Sequence, residues 1–588
     1  MARRGRRNTV RRTLRIATVG LTAVGLFAAA CSQNTGQDPG KSQDKKLDSK
    51  LVYVDNAKGP APEVPGAKKG GIINILGSAD FDHYFAQATY RGDAIMVGGQ
   101  LHLRTLTNYY ERDGKLELMG DIATTTGKSE DGCKKWTYTL RDGIKFEEGT
   151  PLTSKHIAQG ISVAFEELAA DGPQYIQHWL KGAADYKGPW ATKGQLAPGI
   201  STPDNKTIVF ELSEAHCDFP LAAALPTTAP VILEKMDPSK PDTLETPLGT
   251  GPYKVKSYTR GERLEFERNP NWDPATDPLR HNYPDGYVFD WTATDTAIST
   301  KRLVADAGPD KNAIGWDNVP SEALPDVDKS ADAQKRVIEG ETVFSLFINM
   351  NTQRITDVDI RRAMIYATNQ QSILQIIGGD KAGKPSTTLV PPVTPGHKKF
   401  DVYAKPLTGD VDKAKALLQG KQLRPYTYCF RAGATRPATA AAMKEAFARA
   451  GIELVLKELD RTTYYNIVGK KNTDCDLIPG GWGQDYPDNS TYLGVLASPE
   501  EANRDGSNNN AYFDNAEVGA KLKELGAMAD RSAAAPLYGD LEEKIFKDFA
   551  PWIPLYYDYS YGLIGSGVGG VFLSGTWGSP SLQNAYVK

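Results

Sequence analysis

The 588-residue chain is poor in the residues that build reactive or metal centres, with 5 cysteines and 7 histidines. No CxxC, HxxxH or HExxH occurs, so neither a structural nor a catalytic zinc site is expected. No GxxxxGK[ST] loop is present to cradle a nucleotide phosphate. Gly565-Ser566-Gly567-Val568-Gly569-Gly570 has the GxGxxG spacing, but Val571-Phe572-Leu573-Ser574-Gly575 follows it where a dinucleotide site needs a helix. Asp326-Val327-Asp328 lacks the downstream glycine and glutamate of a calcium loop. No activated nucleophile stands out, and nothing singles out a glycosidase-like carboxylate pair among the many acidic residues. No cofactor, no metal and no enzymatic activity are expected.

Basic charge is also missing from the body. Lys+Arg 69 against Asp+Glu 72 gives −3, but Arg3, Arg4, Arg6, Arg7, Arg11, Arg12 and Arg15 all lie at the front. Without those seven arginines, 62 basic residues face 72 acidic ones, a balance of −10. An acidic body without a basic stripe lacks the footprint that phosphate backbones require, which excludes a nucleic-acid partner. The uncharged stretch after the arginines, Ile16 to Ala30, is too short for a ~20-residue membrane span and suits a secretory h-region, so 1–30 reads as a signal peptide. Leu26-Phe27-Ala28-Ala29-Ala30-Cys31 resembles a lipobox, which makes Cys31 the expected lipidation site; an ordinary cleavage site beside a cysteine is the alternative. Arg11-Arg12-Thr13-Leu14 also resembles a twin-arginine signal, so the export route stays open. Residues 31–69 are rich in Gln, Asn, Asp, Ser, Lys, Gly and Pro, with one apolar patch at Leu51-Val52-Tyr53-Val54, and read as a lipidated flexible tether. The expected location is the outer face of the cell membrane, held by two acyl chains.

Four cysteines then remain for an oxidising compartment, and an even number suggests disulfides. Chain order favours Cys133 with Cys217 and Cys429 with Cys475, since each pair flanks strand-like segments of one region; free buried cysteines are the alternative.

Ordinary globular composition, 40% apolar and 24% charged, fills the rest. Ile72 to Leu76 suits a first strand after Gly70-Gly71. Lys135 to Arg141 is strand-like, and Thr153 can cap a helix whose buried stripe is Ile157, Ile161, Ala164, Phe165 and Leu168. Thr207 to Leu212 returns as a strand. Between 426 and 481 the pattern is strand, helix, strand, helix, strand, with Pro437 in the first turn of a helix and Gly451 past its end. This predicts a parallel doubly wound sheet with ligand beyond the carboxyl ends of its strands, where Gly480-Gly481-Trp482-Gly483-Gln484-Asp485 lies.

Several segments carry a family resemblance. Trp136 to Leu152, Pro247 to Tyr253 (PLGTGPY), Glu267 to Trp272 (ERNPNW), Asn349-Met350-Asn351 with Asp359 to Ala363, Gly481 to Asp488 (GWGQDYPD) and Ala550 to Tyr556 (APWIPLY) resemble, in this order, motifs of the extracellular solute-binding proteins of family 5, the dipeptide- and oligopeptide-binding components of ABC importers. The PLGTGPY and ERNPNW segments themselves read as structural turns. The resemblance implies an α/β, two-lobed periplasmic-binding-protein-like fold (type II, large) with an additional domain inserted in the first lobe. Lobe I is expected at 70–104, 246–340 and 546–588, the inserted domain at 105–245 and lobe II at 341–545, with two chain crossings as the hinge. It also implies a monomer that captures peptide between the lobes and delivers it to a membrane permease. In the family's peptide binders the Asp three residues after the Trp of the GW motif holds the peptide's α-amine, which maps onto Asp485 after Trp482. Gly481 and Gly483 flank Trp482 in the same motif, and the Gly480-Gly481 pair is expected to turn tightly and let ligand backbone approach. Tyr175 and Tyr90 are candidates for the pocket wall. Oligosaccharide, opine, metal chelate or haem is the alternative cargo; a surface-anchored hydrolase and a receptor that senses peptide without transport are the alternative functions.

Overall fold

The structure, a computed structural model, describes residues 48–112, 115–240, 244–433, 435–461 and 463–588. The expected signal peptide, Cys31 and the first part of the expected tether lie outside the described residues. The remainder of that tether is packed onto the body. The apolar patch within it is strand β1 (Asp48–Val54), and Asp55 accepts hydrogen bonds from Thr126 N and Oγ1, both at 2.8 Å. Further on, Val64 N donates to the Tyr283 hydroxyl and Glu63 accepts from it. Polar composition around seven strand residues is what hid them.

β2 (Ile72–Leu76) starts a different sheet. β3 (Thr107–Arg112) and β4 (Lys115–Gly120) pair antiparallel, and β1 adds to β4 in parallel, with Leu51 opposite Leu116 and Val54 opposite Met119. β5 (Lys128–Glu130), β6 (Lys135–Thr139), β7 (Ile200–Asp204) and β8 (Thr207–Glu211) form a four-stranded antiparallel sheet in the order β5-β6-β8-β7. Its inward residues Trp136, Tyr138, Ile208 and Phe210 bury against the helix Ser154–Val163, whose Ile157 and Ile161 face them. Thr153 and His156 close that helix's amino end as a capping box, and the helix stops at Val163, before Leu168. β9 (Tyr253–Thr259), β10 (Arg263–Arg268), β11 (Gly286–Asp290) and β12 (Ala313–Gly315) join β2 in the order β12-β2-β11-β10-β9.

The inserted domain and lobe I are tied by four fully buried charges. Arg280 donates to Asp121 and to Asp277, and Arg104 donates to Asp121 at 2.8 Å. Removing one partner of such a buried set typically costs ~3–5 kcal/mol, because the others lose their compensation. Within the PLGTGPY turn, Gly249 and Gly251 lie against His102, where a Cβ would fall 2.1 Å and 2.7 Å from its atoms.

The last sheet holds the second lobe. β13 (Val337–Met350), β14 (Gly383–Pro385), β15 (Tyr426–Arg431), β16 (Leu454–Leu459), β17 (Leu477–Gly483) and β18 (Trp552–Leu563) run in the order β14-β18-β13-β17-β15-β16. β15 pairs in parallel with β16 and β17, but β13 pairs antiparallel with β17 and β18. The sheet is therefore mixed, and the doubly wound parallel pattern holds only for its outer three strands. The expected helix between β15 and β16 is Arg436–Arg449, with proline in its first turn.

The limits expected at 340 and 545 fall inside β13 and inside the helix Arg531–Phe549. β13 and β18 are long enough to belong to two cores. Phe347, Ile348 and Ile553 pack in the large core of lobe II, whereas Tyr561 and Leu563 pack with Leu76 and Leu303 of lobe I. Their pairing is irregular between Glu341 and Ser345. Cys133 is bonded to Cys217 and Cys429 to Cys475, with Cα separations of 5.1 and 5.6 Å. Among the described residues no helix is long and apolar enough to cross a membrane.

Candidate functional site

The cleft between the lobes encloses a cavity of about 1630 Å³. β17 brings the GWGQDYPD segment to its wall. Gly480 to Gly483 belong to the strand itself and make no turn, which corrects the expectation from the glycine pair. Their missing side chains leave room for a neighbour from β13. A Cβ on Gly481 would lie 2.4 Å from Phe344 Cε1, and one on Gly483 would lie 2.8 Å from Phe344 Cδ2. Phe344 thus lies across the glycines and stays 39% exposed in the cavity wall. The Trp482 indole donates to the carbonyl of Thr491 at 2.8 Å, and its ring packs beside the lobe II core.

Past the end of β17 the segment turns into the cleft. Asp485 is only 9% exposed, and its Oδ2 accepts from the Tyr90 hydroxyl at 3.1 Å and from the Tyr175 hydroxyl. The three residues are separated by 395 and 310 positions in the chain and come from three different regions of it. Burial pushes the Asp485 carboxyl up to about 7, and the two hydroxyl bonds only partly oppose it. Burial, then the neighbouring carboxylate, holds both tyrosines well above their ordinary range, so they remain donors. No Lys, Arg or His hydrogen bond or ion pair reaches Asp485 among the described residues.

The remaining residues of the segment lock the cleft and the lobe. Gln484 donates to the carbonyl of Thr576 at 3.1 Å, across to lobe I. The Tyr486 hydroxyl donates to Asp218 of the inserted domain at 2.8 Å, and Ser490 donates to the same oxygen at 3.2 Å. Burial alone would raise the Asp218 carboxyl; nearby His216 at 3.7 Å, Arg531 and the Tyr486 bond outweigh it and hold it at about 2. Asp488 pairs bidentately with Arg531 inside lobe II, at 2.7 to 3.0 Å.

All six expected ligand contacts, Asp485, Trp482, Gly481, Gly483, Tyr175 and Tyr90, line this one cavity. Sequence reasoning did not find Phe344, Arg431, Arg436 and Trp577, which line it too. Trp577 alone carried a signal, being a tryptophan set between small and glycine residues in a loop. Among the described residues the grouping with metal-ligand spacing is Cys429, Asp474 and Cys475, and disulfide formation removes both thiols.

Comparison with known proteins adds an independent line. Residues 117–504 match the family described as bacterial extracellular solute-binding proteins, family 5 Middle. The oligopeptide-binding protein OppA of Bacillus subtilis (strain 168) is 24% identical over 486 residues, covering 79% of this chain and 84% of that protein. The probable deoxycholate-binding periplasmic protein YgiS of Escherichia coli (strain K12) is 25% identical over 476 residues, covering 78% and 83%. The solved structure of clavulanic acid biosynthesis oligopeptide binding protein 2 superposes with a TM-score of 0.82 at 28% identity, over 91% of this chain and 99% of that one.

Proposed function

Because the chain belongs to the bacterial extracellular solute-binding proteins of family 5, we propose that it is the peptide-capturing component of an ABC importer, with Asp485 as counter-ion for the peptide's α-ammonium. The family binds solutes outside the cytoplasm and is not enzymatic. Buried Asp485, met among the described residues by two tyrosine hydroxyls and no cation, is the observation that carries the ligand assignment. An ionised carboxylate without a cationic partner is costly in a closed cleft, and an ammonium at hydrogen-bond distance supplies the missing charge. An anionic ligand such as a bile acid would meet a carboxylate at the same place. The extended peptide backbone can pair with groups of the cleft independently of its side chains.

Ligand that touches both lobes favours the closed arrangement by the difference in its affinity for the two states, and the permease would read that closure. The irregular stretch of β13 opposite β18, which adjoins the limit expected at 340, is our candidate hinge. Diacylated Cys31 would hold the protein at the outer face of the membrane.

Calorimetry tests the reading. Removing one partner of a desolvated charge pair typically costs ~2–5 kcal/mol, so Asp485→Asn should weaken binding of free-amine peptides by roughly 30- to several-thousand-fold. N-acetylated peptides should bind the wild type as poorly. Equal affinities for free and acetylated peptides, unchanged in Asp485→Asn, would sink the assignment.

A further inference from the structure

We infer that Trp577 is the specificity-determining wall for the first side chain of the bound peptide, and that Glu111 is the residue that positions it. The inference rests on Asp485 holding the peptide's amine. Glu111, in β3 of the inserted domain, is buried, and its carboxylate is committed to one distant loop. Oε1 accepts from Ser574 Oγ at 2.7 Å and from Thr576 N at 2.9 Å, while Oε2 accepts from Gly575 N at 3.0 Å. Ser574 Oγ in turn accepts from Trp577 N at 3.2 Å. Backbone N–H groups of three successive residues are thereby fixed, and with them the direction in which the indole leaves the loop.

Two short paths connect that indole to Asp485. Along the first, Gln484, the neighbour of Asp485, donates to the carbonyl of Thr576, the neighbour of Trp577. Along the second, Tyr90 donates to Asp485, and Gly92, two residues further, faces the indole: a Cβ there would lie 3.4 Å from Trp577 Cε3. Tyr109 supports the ring from outside, edge to face at 6.3 Å between centroids. The indole is half-buried and forms part of the cavity wall. A peptide whose ammonium sits on Asp485 would place its first side chain against this part of the cavity wall. An indole face there favours a large apolar or aromatic first residue over glycine.

Glu111 donates nothing and lies behind the loop, so it acts on ligand only through that loop, which carries Trp577. A carboxylate suits the task because three donors converge on it, whereas a glutamine would turn an N–H against them.

Calorimetry with peptides that differ only in the first residue tests this. The wild type should bind the Phe-first peptide about tenfold or more tightly than the Gly-first peptide. Trp577→Ala should cut that ratio about three- to tenfold while the Gly-first peptide keeps its affinity, and Trp577→Phe should restore most of it. Glu111→Gln should lower the ratio in the same direction, an effect that loss of fold stability alone would not produce. A ratio unmoved by Trp577→Ala, with acetylation still abolishing tight binding, overturns this inference alone. A wild type indifferent to acetylation overturns the Asp485 reading and this one together.

Discussion

Asp485 has a protonation state that depends on whether the cleft is shut. In the closed cleft burial pushes its carboxyl up to about 7, and opened to water it returns towards the ordinary ~3.9 of an aspartate. A group that binds its proton more tightly in the closed form favours closure wherever it is protonated. The empty closed form therefore gains stability as pH falls through about 7, and the gain levels off near the open-state value, about 4. Above about 7 the ionised carboxylate opposes empty closure, and the proposed peptide ammonium would remove that opposition. Lowering pH from about 8 to about 5 should shift the empty protein towards the closed form in small-angle scattering and weaken peptide binding. Asp485→Asn should flatten both responses; a pH profile identical in the variant would refute this account. The place of Asp485 in the cleft was legible in the sequence through its motif. Its dependence on Tyr90 and Tyr175 together was not, because two hydroxyls reach one oxygen only after three distant parts of the chain have folded against one another.

At the scale of elements, punctuation was legible where it acts locally. Thr153 before its helix, and Pro437 and Gly451 around theirs, act through the backbone of a single turn, so the sequence alone locates them. Gly480 to Gly483 show the opposite case. Glycine inside a strand ordinarily weakens it and reads as a turn, yet here the space left at Gly481 and Gly483 is filled by Phe344 of another strand, and that at Gly480 by Asn349. Gly481→Ala should force Phe344 and Leu346 aside, since the new Cβ would lie 2.4 Å and 2.8 Å from their carbons. Overpacking of this kind costs ~1–3 kcal/mol, to be read as a lower denaturation midpoint together with weaker peptide binding. An unchanged midpoint and affinity would show that Phe344 is not held by the glycines. β1 escaped the sequence reading for a related reason: its partner β4 lies 67 positions away, measured between Asp48 and Lys115. Nothing near it in the chain announces a sheet edge to join.

For the whole molecule, the closed arrangement rests partly on contacts that involve no ligand. Tyr486 reaches from lobe II into the core of the inserted domain and donates to buried Asp218. In the open form Asp218 would take that hydrogen bond from water, so the bond counts only when the cleft is shut. Tyr486→Phe should thus weaken peptide binding, since a hydrogen bond to a charged acceptor contributes ~1.5–3 kcal/mol, Ser490 keeping its own bond to the same oxygen, while saturating peptide still closes the variant in small-angle scattering. Undiminished affinity would place the closing force elsewhere. The two-lobed plan was legible from collinear motifs, but the crossings were not, because β13 and β18 pass from one core to the other without any break in strand composition. The two disulfides have a bearing on life outside the cytoplasm, where proteases are met. They close loops whose ends are 84 and 46 residues apart, one in the inserted domain and one in lobe II. A single cut inside either loop leaves both new ends on one covalent molecule. A clipped copy stays one covalent molecule until a reductant opens the bond.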